Sequence, residues 1–175
     1  MFSAESNQMD KPTLKAPLHV SHVMFRERSK MAAKTVLLVD DDRNTALFVR
    51  FVFKHVELPP ALQYLPNALS AIQYLTGQDK FADRELYPLP DLILLDLKMP
   101  LMDGFELLQW LRSQSAFHRL PIVVISGSIY QPDAERALKL GADAFLVKCG
   151  ELLDFENSLK KMLARFLQRA DLVAA

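Results

Sequence analysis

Four short apolar runs in this 175-residue chain end in residues that can do chemistry. "TVLLV" (35–39) runs into Asp40, Asp41 and Asp42. "DLILL" (91–95) runs into Asp96. "PIVVIS" (121–126) ends in Ser126 and Gly127, and "AFLV" (144–147) runs into Lys148. Taken singly, each has a plain explanation. An Asp after a strand is commonly a turn residue, an acidic group there often caps a helix, and a Lys commonly faces solvent. Together, at the same relative point of separate runs, they call for a common explanation.

Acids brought together there would not stay ionised without help. Two carboxylates about 4 Å apart repel by about 4 kcal/mol at an effective dielectric of about 20. Asp40, Asp41 and Asp96 carry three negative charges against the one positive charge of Lys148. A hard divalent cation balances that remainder, and Mg2+ takes carboxylate and carbonyl oxygens, waters and a phosphate. A carboxylate can also act as a nucleophile and form an aspartyl phosphate. Phosphoryl transfer needs in-line positioning and positive charge on the equatorial oxygens, which Mg2+ and Lys148 would supply. The Ser126 hydroxyl would bond a phosphoryl oxygen. On this reading Asp96 stands exposed at its strand tip as the group that attacks phosphorus.

The elements that must position these groups alternate along the chain. Continuous apolar runs at 35–39, 91–95, 121–126 and 144–147 predict strands buried on both faces, with a further short strand at 61–65. Helices are predicted over 44–56, 67–77, 103–114, 131–141 and about 152–169, with Gly77 and Gly141 as end signals. In the last helix Leu152, Phe155, Leu159, Met162 or Leu163, and Phe166 recur at helical spacing, and Lys160, Lys161, Arg165 and Arg169 take other positions. Five strands and five helices in alternation predict a doubly wound α/β parallel sheet. In such sheets the functional crevice lies at the carboxyl ends of the strands, which is where the reactive residues fall.

Composition bounds the reading. The length suits one domain. Lys plus Arg is 21 and Asp plus Glu is 21, so no net charge points to nucleic acid or to an anionic membrane. The single cysteine, Cys149, excludes an intrachain disulfide. No apolar run has the length of a membrane span, and no signal peptide is legible, so the expected location is cytoplasmic. Residues 1–34 lack periodicity and carry six Lys or Arg against three Asp or Glu. Residues 1–33 are therefore expected to be a disordered extension, and the stretch "MAAKTVLLVDDD" would make a natural internal start. His19 and His22 fall in that extension without a second ligand pair.

"VLLVDDD", "DLILLDLKMPLMDG", "IVVISG" and "ADAFLVK" stand in an order and spacing that resembles the receiver domain of two-component response regulators, over about residues 34–170, with 171–175 a short tail. The resemblance implies a flavodoxin-like five-stranded parallel sheet of order 2-1-3-4-5 with five helices. It implies that Asp96 is the phosphoacceptor, taking its phosphoryl group from a phosphohistidine on a sensor histidine kinase or phosphotransfer protein. It implies that Asp41, Asp96 and the backbone carbonyl of Lys98 ligate Mg2+, with Asp40 reaching it mostly through water. Ser126 matches the switch hydroxyl position, Lys148 the family lysine and Phe145 the aromatic switch. The implied output surface is formed by the fourth helix, fifth strand and fifth helix, and would bind a partner or a second copy. The loop from Gly77 to Pro90 looks most like that of stand-alone regulators that pair with bacterial phytochromes. No output domain is legible in these 175 residues, so output is expected through a partner, a homodimer or a phosphorelay.

Two residues depart from the family pattern. Cys149 stands where a proline is usual after the lysine, so the Lys148–Cys149 bond is expected either trans with a shifted loop, or cis and strained. Phe145 has no hydroxyl, so the active state would be read through packing alone. These departures keep a second reading open, a phosphorylation-independent binding module. A phosphatase of the aspartyl-phosphate class is disfavoured, because Lys98 occupies the position where a general acid is needed. Lys98 and Ser128 are expected to tune access of water to the phosphate. The first helix is apolar nearly all round, which predicts either a docking face or packing against the fifth helix, and Trp110 is expected to pack helix to sheet.

Overall fold

The computed structural model describes residues 34–127, 129–148 and 151–167. The expectations for residues 1–33, Ser128, Cys149 with its peptide bond, and the 171–175 tail lie outside them. The elements run β1 (Thr35–Val39), α1 (Arg43–Phe53), β2 (Ala61–Leu65), α2 (Ala68–Thr76), a 3-10 turn (Asp79–Ala82), β3 (Leu92–Leu95), α3 (Gly104–Ser113), β4 (Ile122–Ser126), α4 (Gln131–Lys139), β5 (Ala144–Val147) and α5 (Leu152–Leu167). All neighbouring strands are parallel, in the order β2-β1-β3-β4-β5. This is the flavodoxin-like topology expected from the sequence. No helix among the described residues is long and apolar enough to cross a membrane.

The apolar runs form strands because both faces of the sheet are covered. Leu37, Val39, Ile93, Leu95 and Val124 pack on one face with α2, α3 and Ala137 of α4. Val36, Leu38, Leu94, Val123 and Ile125 point the other way, against α1 and α5. Alternation of direction survives where alternation of polarity does not. β2 lies at an edge and is only partly buried. In α1, Phe48 stacks on Phe155 of α5 with ring centroids 5.1 Å apart. Leu47 and Phe51 stay 66% and 49% exposed, so only part of the helix's apolar surplus is packed.

Helix starts are set by side chains that accept orphan backbone amides. Asp42 caps α1, Asn67 caps α2, and Asp103 with Glu106 forms a reciprocal capping box on α3. α1 stops at Phe53, three residues before its expected end. The amides of Lys54 and His55 turn back to Phe51 and Val52, and Pro59 and Pro60 follow, where no helix can continue.

The Gly77–Pro90 segment is an ordered structure rather than a simple loop. Phe81, in the 3-10 turn, meets Tyr74 and Tyr87 edge to face. The Arg84 guanidinium donates to the carbonyls of Tyr74, Leu75 and Tyr87, which closes the C-terminus of α2. The buried Tyr74 hydroxyl donates to the Pro88 carbonyl. Burial pushes the Tyr74 phenol up to about 12, with Arg84 pulling it back. The folded state therefore holds this proton more tightly than the unfolded chain does. Its contribution to stability is whole below pH 10 and declines as pH rises toward 12, by about 1.4 kcal/mol per pH unit. Denaturant titrations at pH 9, 10 and 11 should show that component missing in Tyr74→Phe. At neutral pH that variant should lose about 1–3 kcal/mol for the orphaned Pro88 carbonyl.

Candidate functional site

The backbone ladder continues one residue past the strand ends and sets the acids side by side. The Asp40 amide donates to the Leu65 carbonyl at 3.1 Å, and the Asp96 amide donates to the Val39 carbonyl at 2.9 Å. At the far side of the sheet, the Lys148 amide donates to the Ser126 carbonyl at 2.8 Å. From there the Lys148 side chain reaches back over the strand ends. Its Nζ lies 2.6 Å from Asp40 Oδ2 and 2.7 Å from Asp96 Oδ1.

Charge-assisted contacts this short are the strong kind, and the burial explains why they are needed. Asp40 is fully buried and Asp96 is 4% exposed. Burial pushes the Asp40 carboxyl above its usual range, against the pull of Lys148 and of the Asp42 amide that donates to it. Burial alone would lower the Lys148 ammonium, but its hydrogen bonds and charge contacts with Asp40 and Asp96 raise it overall, so it stays protonated.

Asp41 is exposed, and one carboxylate oxygen from each of Asp40, Asp41 and Asp96 falls within 4.8 Å of the others. Three carboxylates against one ammonium leave an excess of negative charge. The oxygen donor set and that charge fit a hard divalent cation.

The sequence expectation for Asp96 needs correction on one point. Asp96 is at the strand tip but not exposed. The ladder bond draws it into the sheet edge, Lys148 engages Oδ1, and the Lys98 amide donates to Oδ2 at 2.6 Å. Ser126 is fully buried at the end of β4. Lys98 is exposed in the loop after β3. Phe145 is half-buried and packs against the cluster that includes Ala137 and Leu140. Trp110 packs at the margin of the same cluster beside Phe117.

A residue that the chemistry did not single out is Gly104. Its amide donates to the Leu97 carbonyl at 3.0 Å, which closes the loop that carries Asp96. A Cβ at Gly104 would lie 2.1 Å from the Asp96 carbonyl oxygen. The legible signal was a glycine at the first position of a helix right after its Asp cap, where other residues form helix better.

Comparisons with known proteins agree with this fold. Residues 36–160 match the family described as the response regulator receiver domain. The chain is 30% identical to the response regulator Rcp1 of Synechocystis over 142 residues, covering 81% of this chain and 95% of that protein. The structure of the phosphorylated cyanobacterial phytochrome response regulator RcpA superposes with a TM-score of 0.71 at 27% identity, covering 78% of this chain and 95% of that one. The Mn2+-bound form of Rcp1 gives a TM-score of 0.67 at 30% identity, over 75% and 92% of the two chains.

Two outcomes test the energetics. Lys148→Met leaves two buried carboxylates uncompensated and should destabilise the metal-free protein by about 3–5 kcal/mol in urea denaturation. Millimolar divalent cation should restore part of that loss. Gly104→Ala should cost about 3 kcal/mol and displace the Asp96 loop, seen as shifted backbone amide resonances at Asp96 and Leu97.

Proposed function

The chain belongs to the response regulator receiver family, and on that footing we propose that it accepts a phosphoryl group on Asp96 from a histidine kinase or phosphotransfer protein. The observation that carries this reading is the Lys148 ammonium held between Asp40 and Asp96, with Asp41 beside them. Asp41, Asp96 and the Lys98 backbone carbonyl would hold Mg2+, with Asp40 reaching it mostly through water. Bound there, Mg2+ would supply positive charge to the phosphoryl group.

An Asp96 oxygen forms the bond to phosphorus as the phosphorus–nitrogen bond of the donor histidine breaks. Lys148 moves its hydrogen bond from the Asp96 carboxylate to the phosphoryl group, and the Ser126 hydroxyl donates to another phosphoryl oxygen. The group adds about −1.5 to −2 charge, enough to shift a balance between two packings. Phe145, on β5, sits where such a shift would be felt, against the core cluster that holds Ala137 of α4. The surface to be switched is the α4–β5–α5 face, where Leu138, Val147, Leu152 and Leu153 are already exposed. It would take a partner or a second copy of the chain.

Leu47 and Phe51 on α1 are the apolar pair left for docking a helix of the phosphodonor. A phytochrome-type kinase is the donor we favour, because RcpA, to which this fold is similar, is a phytochrome response regulator. On this reading residues 34–170 form the receiver unit, residues 1–33 an extension, and the protein works in the cytoplasm.

Phosphorylation by acetyl phosphate or phosphoramidate tests the reading. Incorporation should require Mg2+ and vanish in Asp96→Asn. A folded wild type that incorporates nothing would replace the switch with a phosphorylation-independent binding module.

A further inference from the structure

Tyr64 on β2 stands in register with Leu38, one residue before Leu65, whose carbonyl anchors the Asp40 amide. Its ring packs at the margin of the core cluster shared by α1 and the sheet. Its hydroxyl is buried and makes no hydrogen bond. Among the described residues it is the only buried side-chain nitrogen or oxygen in that position. Such a group is costly, because a desolvated donor without an acceptor loses what water would have given it. A phenylalanine would fill the same space without that cost.

Tyr64 sits near the end of β2, beside the end of β1 that carries the acids. Burial raises the Tyr64 phenol, and the charges acting on it are Asp40, Arg43, Asp41 and Asp42, from the end of β1 and the start of α1. The group is therefore a protonated donor in the field of the acidic cluster. Two of those carboxylates are already engaged. Asp40 accepts from Lys148 and from the Asp42 amide, and Asp42 accepts from the Asn44 amide. Asp41 and Asp42 are both exposed, and of the three carboxylates only that of Asp41 accepts no hydrogen bond among the described residues. A donor without an acceptor thus belongs to the strand next to the one that ends in an acceptor without a donor.

We propose that Tyr64 is a positioning residue of the cation site, its hydroxyl orienting the Asp41 carboxylate, directly or through one water, when a divalent cation draws Asp41 toward Asp96. This rests on the reading that the acidic cluster binds such a cation. Outer partners of this kind fix the direction of a ligating carboxylate, and losing one typically weakens metal binding about 10- to 100-fold.

The test is calorimetric titration of Mg2+ alone into the full chain, wild type and Tyr64→Phe, with thermal melts of both in the absence of metal. The expected result is Mg2+ binding weakened about tenfold in Tyr64→Phe, with the metal-free Tm unchanged or higher. In wild type labelled with 3-fluorotyrosine, the Tyr64 resonance should shift when Mg2+ is added. Equal affinities would overturn the inference and leave the hydroxyl as an unsatisfied group of the packing, whose removal only raises Tm. A wild type that binds no Mg2+ would remove the cation reading and this inference with it. Wild-type binding that Tyr64→Phe leaves untouched removes the inference alone. Should Tyr64→Phe fail to fold, the fluorotyrosine spectrum of the wild type decides, with Tyr74, Tyr87 and Tyr130 identified through their own Phe variants. A Tyr64 resonance that ignores Mg2+ overturns the proposal.

Discussion

The ammonium of Lys148, shared between Asp40 and Asp96, is the contact around which the rest of the structure is arranged. A fully buried carboxylate beside a second one, itself 4% exposed, is a costly arrangement in any protein. Here one cation offsets both, at 2.6 and 2.7 Å. That contact spans three strands of the sheet. It requires β1 and β3 to be neighbours with their ends level, and β5 to reach the same edge from two strands away. The parallel topology meets this requirement, because parallel strands bring all their carboxyl ends to one side.

The partial nature of the compensation is what gives the site its chemical character. Full neutralisation would leave the acids inert as one more buried ion pair. Without any compensation the strand ends would be expelled into solvent. One ammonium against three carboxylates holds the fold together and still leaves a field that attracts a divalent cation. The same ammonium occupies one oxygen of Asp96, the phosphoacceptor we propose. Resting stability and the proposed phosphoryl transfer therefore share a side chain, which that transfer would have to move.

The loops are built to keep the acids at fixed positions. Asp42 caps α1 while its amide donates to Asp40, so one residue ties the helix start to the buried acid. On the other side Asp103 and Glu106 start α3, and Gly104 lets that helix approach the backbone of Asp96 and Leu97. Elsewhere, Arg84 closes α2 on the carbonyls of Tyr74 and Leu75, and Arg112 of α3 holds the loop carbonyls of Leu120 and Gly141. Arg112 keeps this role although its burial lowers its guanidinium pKa, because Asp143 opposes the shift.

Much of this was legible in the residues themselves. Strand and helix order follow from apolar periodicity, because a segment buried on both faces cannot hide a polar residue. The position of Asp40, Asp96, Ser126 and Lys148 at the ends of such runs follows from the same rule. Sequence alone thus determined the architecture and which polar groups stand at the strand ends. What only the tertiary structure decided is their exposure and their pairing. Asp96 is covered because an ammonium 52 residues away in the chain comes to lie on it, and no local pattern encodes that approach. The closeness of Gly104 to the Asp96 carbonyl and the placing of Tyr64 beside the strand that ends in the acids have the same origin. Each depends on distances between elements that meet only when the sheet and its helices are assembled, and local sequence carries periodicity but not distance.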